Sequence, residues 1–138
     1  SPLRDRMRLV PMTPHVQEWY GMADLLVCAS DVESLPRSVV EAMAWELPVL
    51  ATDVYGLPEV VREGETGWLC PPRNVEALAA GLERALSSSA EERLRMGRAG
   101  RALVERRHSL SEYARRIEEL VGEVARSGAG ARSHVGEG

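Results

Sequence analysis

The sequence contains no lysine and no phenylalanine, and aromatic residues make up only 4% of its 138 residues. All 17 basic residues are therefore arginine, which excludes a lysine Schiff base, a lysine nucleophile and a phosphate-binding loop built on lysine. Since phenylalanine is absent, the core must be mainly aliphatic. The sequence has no run near the roughly 18 apolar residues of a membrane span and opens with no charged-then-apolar leader, so we expect a soluble cytoplasmic protein.

Net positive charge and cysteine are also scarce. The formal charge is −4 at neutral pH, and binding to nucleic acid needs a basic face, so no nucleic-acid partner is expected. Cys28 and Cys70 lie in apolar runs, with no second cysteine nearby and no histidine at the spacing of a metal site. We therefore expect both to be buried, reduced thiols.

Short apolar runs alternate with turn formers and helical patterns, as expected for one α/β domain. The runs that predict strands are residues 7–10, 24–29, 48–52 and 67–69. Continuous aliphatic runs such as 25–28 and 49–51 are typical of parallel strands buried on both faces. The sequence therefore predicts a parallel sheet with flanking helices.

Helical periodicity is clearest in the second half of the chain. One helix is predicted after Asn74, a suitable N-cap, and two more over residues 91–107 and 110–124. Residues 127–138 have neither apolar mass nor period, so they are predicted to form a mobile tail after a domain of residues 1–126.

The chemistry is expected between residues 29 and 48, where a predicted strand ends, a polar loop follows and a helix begins near Pro36. Ligands of open α/β sheets bind at this edge, because free backbone N–H groups and the positive end of the helix dipole favour a phosphate there. Proline suits the first turn of the helix but removes one N–H donor.

Two acidic residues in this segment, Glu33 and Glu41, suit a ligand with diols on both sides of a diphosphate, because one carboxylate accepts hydrogen bonds from two vicinal hydroxyls. Other interpretations stay open. Glu33 is also consistent with a solvated loop acid, and Glu41 with a capping box that it would form with Ser38. Arg37 is either a phosphate clamp or a solvated charge.

The segment CASDVESLPRSVVEAMAWELPVLATDVYGLPEVVREGETGWLCPP, residues 28–72, resembles the retaining GT-B-fold glycosyltransferases of group 1, or family 4, which are glycogen-synthase-like. The shared pattern is Ser, Glu, seven residues, Glu-Ala-Met-Ala, then Pro-Val, then Gly-x-Pro-Glu-x-Val. The resemblance implies part of the C-terminal, Rossmann-like donor domain. It also implies transfer of a sugar from a nucleotide-diphospho-sugar to an acceptor with retention, without metal or other cofactor.

The same resemblance implies a role for each matching residue. Glu33 would be the catalytic-site acid that contacts donor-sugar hydroxyls, and Glu41 would bind the ribose. The diphosphate or sugar would lie against the backbone of four residues, Ser34, Leu35, Arg37 and Ser38. Arg37 would also supply a basic side chain. Met12 and Thr13 would approach the nucleobase. Two departures are Pro36, where a glycine is frequent, and Glu46-Leu47, where a small residue usually precedes Pro-Val.

Nothing in the sequence matches the family's N-terminal acceptor domain or the first two strands of its donor domain. We therefore expect residues 7–10 to lie beside an exposed or rearranged sheet edge, and the missing parts to come from another domain or a second chain. Unpaired edges promote self-association, so a homodimer or domain-swapped assembly is an alternative.

Three functions compete. The first is a glycosyltransferase donor domain that is complete only with its remaining parts. The second is a non-catalytic binding or assembly module on the same fold. The third is a sugar-nucleotide epimerase or a phosphorylase, and for a phosphorylase the absence of lysine is unfavourable. The nucleobase, sugar and acceptor are not specified by the sequence.

Overall fold

The computed structural model describes residues 4–132 and contains one sheet of three parallel strands. The strands lie side by side in chain order, with Leu26 opposite Val49 and Leu50 opposite Trp68. Every residue of the middle strand is buried, in agreement with its continuous aliphatic sequence. The strands are β1 (Leu26–Cys28), β2 (Val49–Thr52) and β3 (Gly67–Cys70).

Between residues 4 and 132, six α-helices flank or follow the strands, after a short 3₁₀ turn at Arg4–Arg6. Each strand is followed by a helix, which is the alternation that parallel strands require. The predicted α/β class is confirmed. The helices are α1 (Val16–Met22), α2 (Arg37–Ala44), α3 (Leu57–Val60), α4 (Val75–Ser87), α5 (Ala90–Arg107) and α6 (Leu110–Arg132).

The core lies on both faces of β2, because successive side chains of a strand point in opposite directions. Val49 and Ala51 belong to a cluster that includes residues of α2, α3 and α5, among them Met43 and Leu103. Leu50 belongs to a second cluster with residues of β3, α4 and α5. Helices therefore cover both faces of the sheet, and its carboxyl edge stays available for loops.

Residues 7–10 do not form the predicted strand. They have no regular secondary structure and no strand pairing, and Leu9 is 96% exposed. Four residues without a neighbouring strand gain too little hydrogen bonding and burial to offset the entropy of ordering them. Within residues 4–132, β1 pairs only with β2, so the expected exposed sheet edge is present at β1.

Helix α6 continues to Arg132, into the segment 127–138 that was predicted to be a mobile tail. Extending an existing helix by one residue is far easier than nucleating one, and alanine is the best helix former. Residues 133–138 lie outside the described part of the chain. By contrast, the predicted N-cap of α4 is confirmed, since Asn74 Oδ1 accepts a hydrogen bond from the Ala77 N–H at 2.9 Å.

Candidate functional site

The loops that follow β1 and β2 meet at the carboxyl edge of the sheet. The Thr52 hydroxyl, at the end of β2, donates a 2.6 Å hydrogen bond to the Ser30 carbonyl beyond β1. Further out, Gly56 lies against the Ser34 backbone: a Cβ at Gly56 would stand 1.8 Å from the Ser34 carbonyl oxygen. These contacts hold the two loops side by side, where open α/β sheets bind their ligands.

Glu33 lies in the loop between β1 and α2 and is partly buried. It lines a cleft of about 600 Å³ between the β1 and β2 loops, together with Ser34 and Tyr55. Tyr55 has a left-handed backbone, with φ of 44°, and its side chain is exposed. The sequence indicated Glu33 but not Tyr55, although an aromatic residue directly before Gly-Leu-Pro at a strand end was an available signal.

Helix α2 begins directly beside this cleft. Pro36 is its N-cap, with φ of −70° and ψ of 129°, and no side chain caps the helix. The first N–H groups of a helix have no acceptor within it, so those of Arg37 and Ser38 can face a ligand. Leu35 packs its side chain against the core cluster below the sheet edge, which anchors the loop. The α2 start therefore has free N–H groups at the sheet edge, and anion binding there stays a prediction.

Glu41 lies one turn further along α2 and makes two contacts within the protein. Its Oε2 accepts a hydrogen bond from the Tyr20 hydroxyl at 3.3 Å, and its Oε1 accepts one from Arg37 Nη2 at 3.3 Å. The capping box with Ser38 is not formed, because no side chain caps α2. The Arg37 side chain is 94% exposed, so its ion pair with Glu41 is weak and easily exchanged.

Burial, and then the charge and hydrogen bond of Glu41, raise the pKa of Tyr20 above its usual value. Glu33 thus lies in the β1–α2 loop and Glu41 in the helix that follows it, and their surroundings differ. Glu33 faces the β2 loop, and Glu41 faces α1. Tyr20 could not be found from the sequence, because 21 positions separate it from Glu41.

Met12 and Thr13 lie before α1. Met12 is fully exposed, and the Thr13 hydroxyl accepts a hydrogen bond from the His15 N–H at 3.1 Å. Both line an apolar surface pocket of about 340 Å³ beside Trp19. Their role beside a nucleobase stays a prediction.

A smaller pocket of about 250 Å³ lies at the same sheet edge, between the loops that follow β1 and β3. Asp31 and Arg73, from those two loops, form an ion pair of 3.5 Å across it. Arg73 has a left-handed backbone, with φ of 56°. In the described residues, 4–132, no group of three or more histidine, cysteine or acidic residues is arranged to hold a metal ion.

The fold and the site define an α/β domain with a ligand crevice at the carboxyl edge of its sheet. The chain belongs to the family described as Glycosyl transferases group 1, whose sequence profile matches residues 2–103. Proteins similar to this chain in sequence include ones named as glycosyltransferases, and similar solved structures such as sucrose-phosphate synthase have the GT-B fold. No helix within residues 4–132 is long and apolar enough to cross a membrane.

Three similar proteins illustrate the relationship. The α-1,3/1,6-mannosyltransferase alg-2 of Neurospora crassa is 38% identical over 112 residues, which are 77% of this chain and 24% of that protein. Sucrose-phosphate synthase from Thermosynechococcus elongatus has a TM-score of 0.83 at 30% identity, over 91% of this chain and 32% of that one. HepE from Anabaena, in complex with UDP and glucose, has a TM-score of 0.81 at 22% identity, over 88% of this chain and 33% of that one. This chain thus spans between a quarter and a third of these relatives.

Proposed function

We propose that this chain supplies part of the donor site of a retaining, family 4 glycosyltransferase, in the C-terminal domain of a GT-B enzyme. The observation that carries the proposal is the β1–α2 segment at the sheet edge. There an uncapped helix start lies between two partly exposed carboxylates, Glu33 and Glu41. A nucleotide-diphospho-sugar has an anionic centre between two groups of hydroxyls, and this arrangement matches it.

Each residue has a chemical role in the proposed reaction. Glu33 would accept hydrogen bonds from hydroxyls of the donor sugar, and Glu41 would accept those of the ribose. The backbone N–H groups of Ser34, Leu35, Arg37 and Ser38 would face the diphosphate or the sugar. The bond between the anomeric carbon and the diphosphate oxygen breaks, and its electron pair leaves with the nucleoside diphosphate. The acceptor oxygen bonds to the same face of the sugar, and its proton passes to the departing diphosphate.

The leaving diphosphate gains negative charge as that bond breaks. Donors already fixed in place stabilise such charge without reorganisation, and the α2 start supplies both N–H groups and the positive end of a helix dipole. The Arg37 guanidinium is free to leave Glu41 for the phosphate, since it is almost fully exposed. We propose that no metal or further cofactor takes part. Met12 and Thr13 are retained as candidates for contact with the nucleobase.

The acceptor site and the remaining donor contacts would come from a further domain or from a second chain, because this chain spans only part of its relatives. The HepE structure holds UDP and glucose, which supports a nucleotide sugar as the ligand class.

Titration calorimetry with UDP, GDP, ADP and their glucose or mannose conjugates tests the proposal. We expect at least one ligand to bind and its affinity to fall about 10-fold or more in Glu41→Ala and in Glu33→Ala, because each loses hydrogen bonds to a charged group. Glu83→Ala, an exposed residue of α4, is the matched control and should bind normally. If no ligand bound at millimolar concentration, the non-catalytic alternative would replace the proposal.

A further inference from the structure

The Tyr20 hydroxyl is a polar group held inside an otherwise apolar contact. Tyr20 is 8% exposed and packs with Ala42 and Leu47 where α1 meets α2. Its hydroxyl reaches Glu41 Oε2 at 3.3 Å, and since a carboxylate only accepts, Tyr20 is the donor. The raised pKa of Tyr20 keeps this proton in place at neutral pH.

The two oxygens of Glu41 are held differently. Oε2 points to Tyr20, which is held by packing, whereas Oε1 points to the exposed Arg37. A carboxylate has about four lone-pair positions, so both oxygens keep room for ligand hydroxyls after these two bonds. The Glu41 side chain is 39% exposed and is therefore open to a ligand on its outer side.

The Tyr20 ring is held by packing against Ala42 and Leu47. Next to it in α1, Gly21 faces Trp45, the residue that ends α2, and a Cβ at Gly21 would meet the Trp45 ring at an ordinary contact distance of 3.5 Å. A ring buried in this contact cannot follow free rotation of the Glu41 side chain. The Tyr20 hydroxyl therefore restricts the rotamers of Glu41 rather than moving with them, which reduces the entropy lost when a ligand binds.

We propose that Tyr20 is a positioning residue that holds Glu41 in the orientation needed to bind the two ribose hydroxyls of the donor. This inference rests on the proposed donor site. It assigns Tyr20 an effect on one part of the ligand only. Removal of its hydroxyl should weaken binding of ligands with ribose hydroxyls and leave ligands without them unaffected.

The test uses Tyr20→Phe, which removes one oxygen and keeps the packed ring. Tyr113→Phe is the matched control, because Tyr113 is 64% exposed on α6. Native chain and variants are titrated with UDP, GDP and ADP, and the tightest of these is compared with its 2′,3′-dideoxy analogue. Circular dichroism and thermal unfolding verify that each variant is folded.

We expect Tyr20→Phe to weaken the ribonucleotide about 3- to 10-fold, the usual effect of one hydrogen bond, and to leave the dideoxy analogue unchanged. Tyr113→Phe should match the native chain. In Glu41→Ala the further change Tyr20→Phe should have no additional effect, because the group that it positions is gone.

Native-like ribonucleotide binding by Tyr20→Phe would overturn this inference alone. Equal weakening of both ligands would also overturn it, since that result indicates a general structural role. If the native chain bound none of the three nucleotides, the proposed donor site would fail, and the inference would fail with it.

Discussion

Gly56 and Ser34 lie in backbone contact across the candidate site, so closely that a Cβ at Gly56 would stand 1.8 Å from the Ser34 carbonyl oxygen. Ser34 belongs to the loop before α2, and Gly56 is the N-cap of α3. The absence of a side chain at Gly56 therefore sets the spacing between the two loops that line the Glu33 cleft.

The first prediction concerns this contact. Gly56→Ala should lower the free energy of unfolding by about 1–3 kcal/mol, because backbone atoms must move to admit the methyl group. It should also weaken nucleotide binding by displacing the loop of Glu33. Urea unfolding and calorimetry measure the two effects.

The matched control is Gly122→Ala on α6, where the nearest atom to the added Cβ is the flexible end of the Arg126 side chain, at 3.2 Å. This change should be neutral or slightly stabilising, since glycine is a poor helix former. Native stability and binding in Gly56→Ala would contradict the account of this contact.

Glu46 follows the end of α2 in a left-handed conformation, with φ of 60°. Glycine is the usual residue at this position of a helix end, and a non-glycine residue there costs about 1–2 kcal/mol. The ion pair of Glu46 with Arg101, at 3.4 Å, is partly exposed and stabilises the protein by less than that. Glu46→Gly should therefore stabilise the protein by about 0.5–1 kcal/mol, measured by urea unfolding.

Glu46→Ala separates the two contributions. It removes the ion pair but keeps the side-chain penalty at positive φ, so it should not stabilise the protein. Equal gains in stability from the glycine and alanine variants would show that backbone strain is not the cause.

Thr66 is fully buried and bridges two backbone groups of one turn. Its hydroxyl donates to the Val60 carbonyl at 2.8 Å and accepts from the Arg62 N–H at 2.9 Å. Thr66→Val keeps the shape but leaves both groups without a partner, so we expect a loss of about 1–3 kcal/mol in thermal unfolding. Thr66→Ser, which keeps the hydroxyl, should lose less; a larger loss for serine would indicate that packing dominates.

Hydrogen bonds from Arg115 and Arg116 lower the pKa of Glu112 from 4.5 to about 2. A carboxyl group whose folded pKa is depressed contributes stability above its unfolded pKa and loses it as the pH falls. The native chain should therefore have a helix advantage over Glu112→Gln at neutral pH that disappears between about pH 4.5 and 2. Far-UV circular dichroism measures this difference in helix content. A difference that does not change with pH would exclude the ion pairs of Glu112 with Arg115 and Arg116 as the cause.

Local patterns predicted much of the fold, because their effects act between neighbours in sequence. The aliphatic runs of β1, β2 and β3, the proline at the start of α2 and the asparagine cap of α4 each determine the conformation of adjacent residues. Residues 7–10 are also mostly apolar, but a strand needs a neighbouring strand to pair with, and the local sequence carries no information about that partner.

The candidate site was predictable only in part, for the same reason. Glu33 and Glu41 belong to one continuous segment with a recognisable pattern. The contribution of Tyr20 depends on how α1 packs against α2, and that of Tyr55 on how the β2 loop meets the β1 loop. Contacts between distant segments of this kind are determined by the packed structure and leave no periodic signal.

An NMR titration of ¹⁵N-labelled protein tests the central claim most directly, because it reports where a nucleotide binds. With whichever of UDP, GDP or ADP binds tightest, we expect the largest shifts at the backbone amides of Ser34, Leu35, Arg37 and Ser38, and smaller ones near Glu41. Binding accompanied by large shifts only elsewhere, such as along α4 or α5, would contradict a donor site at the start of α2.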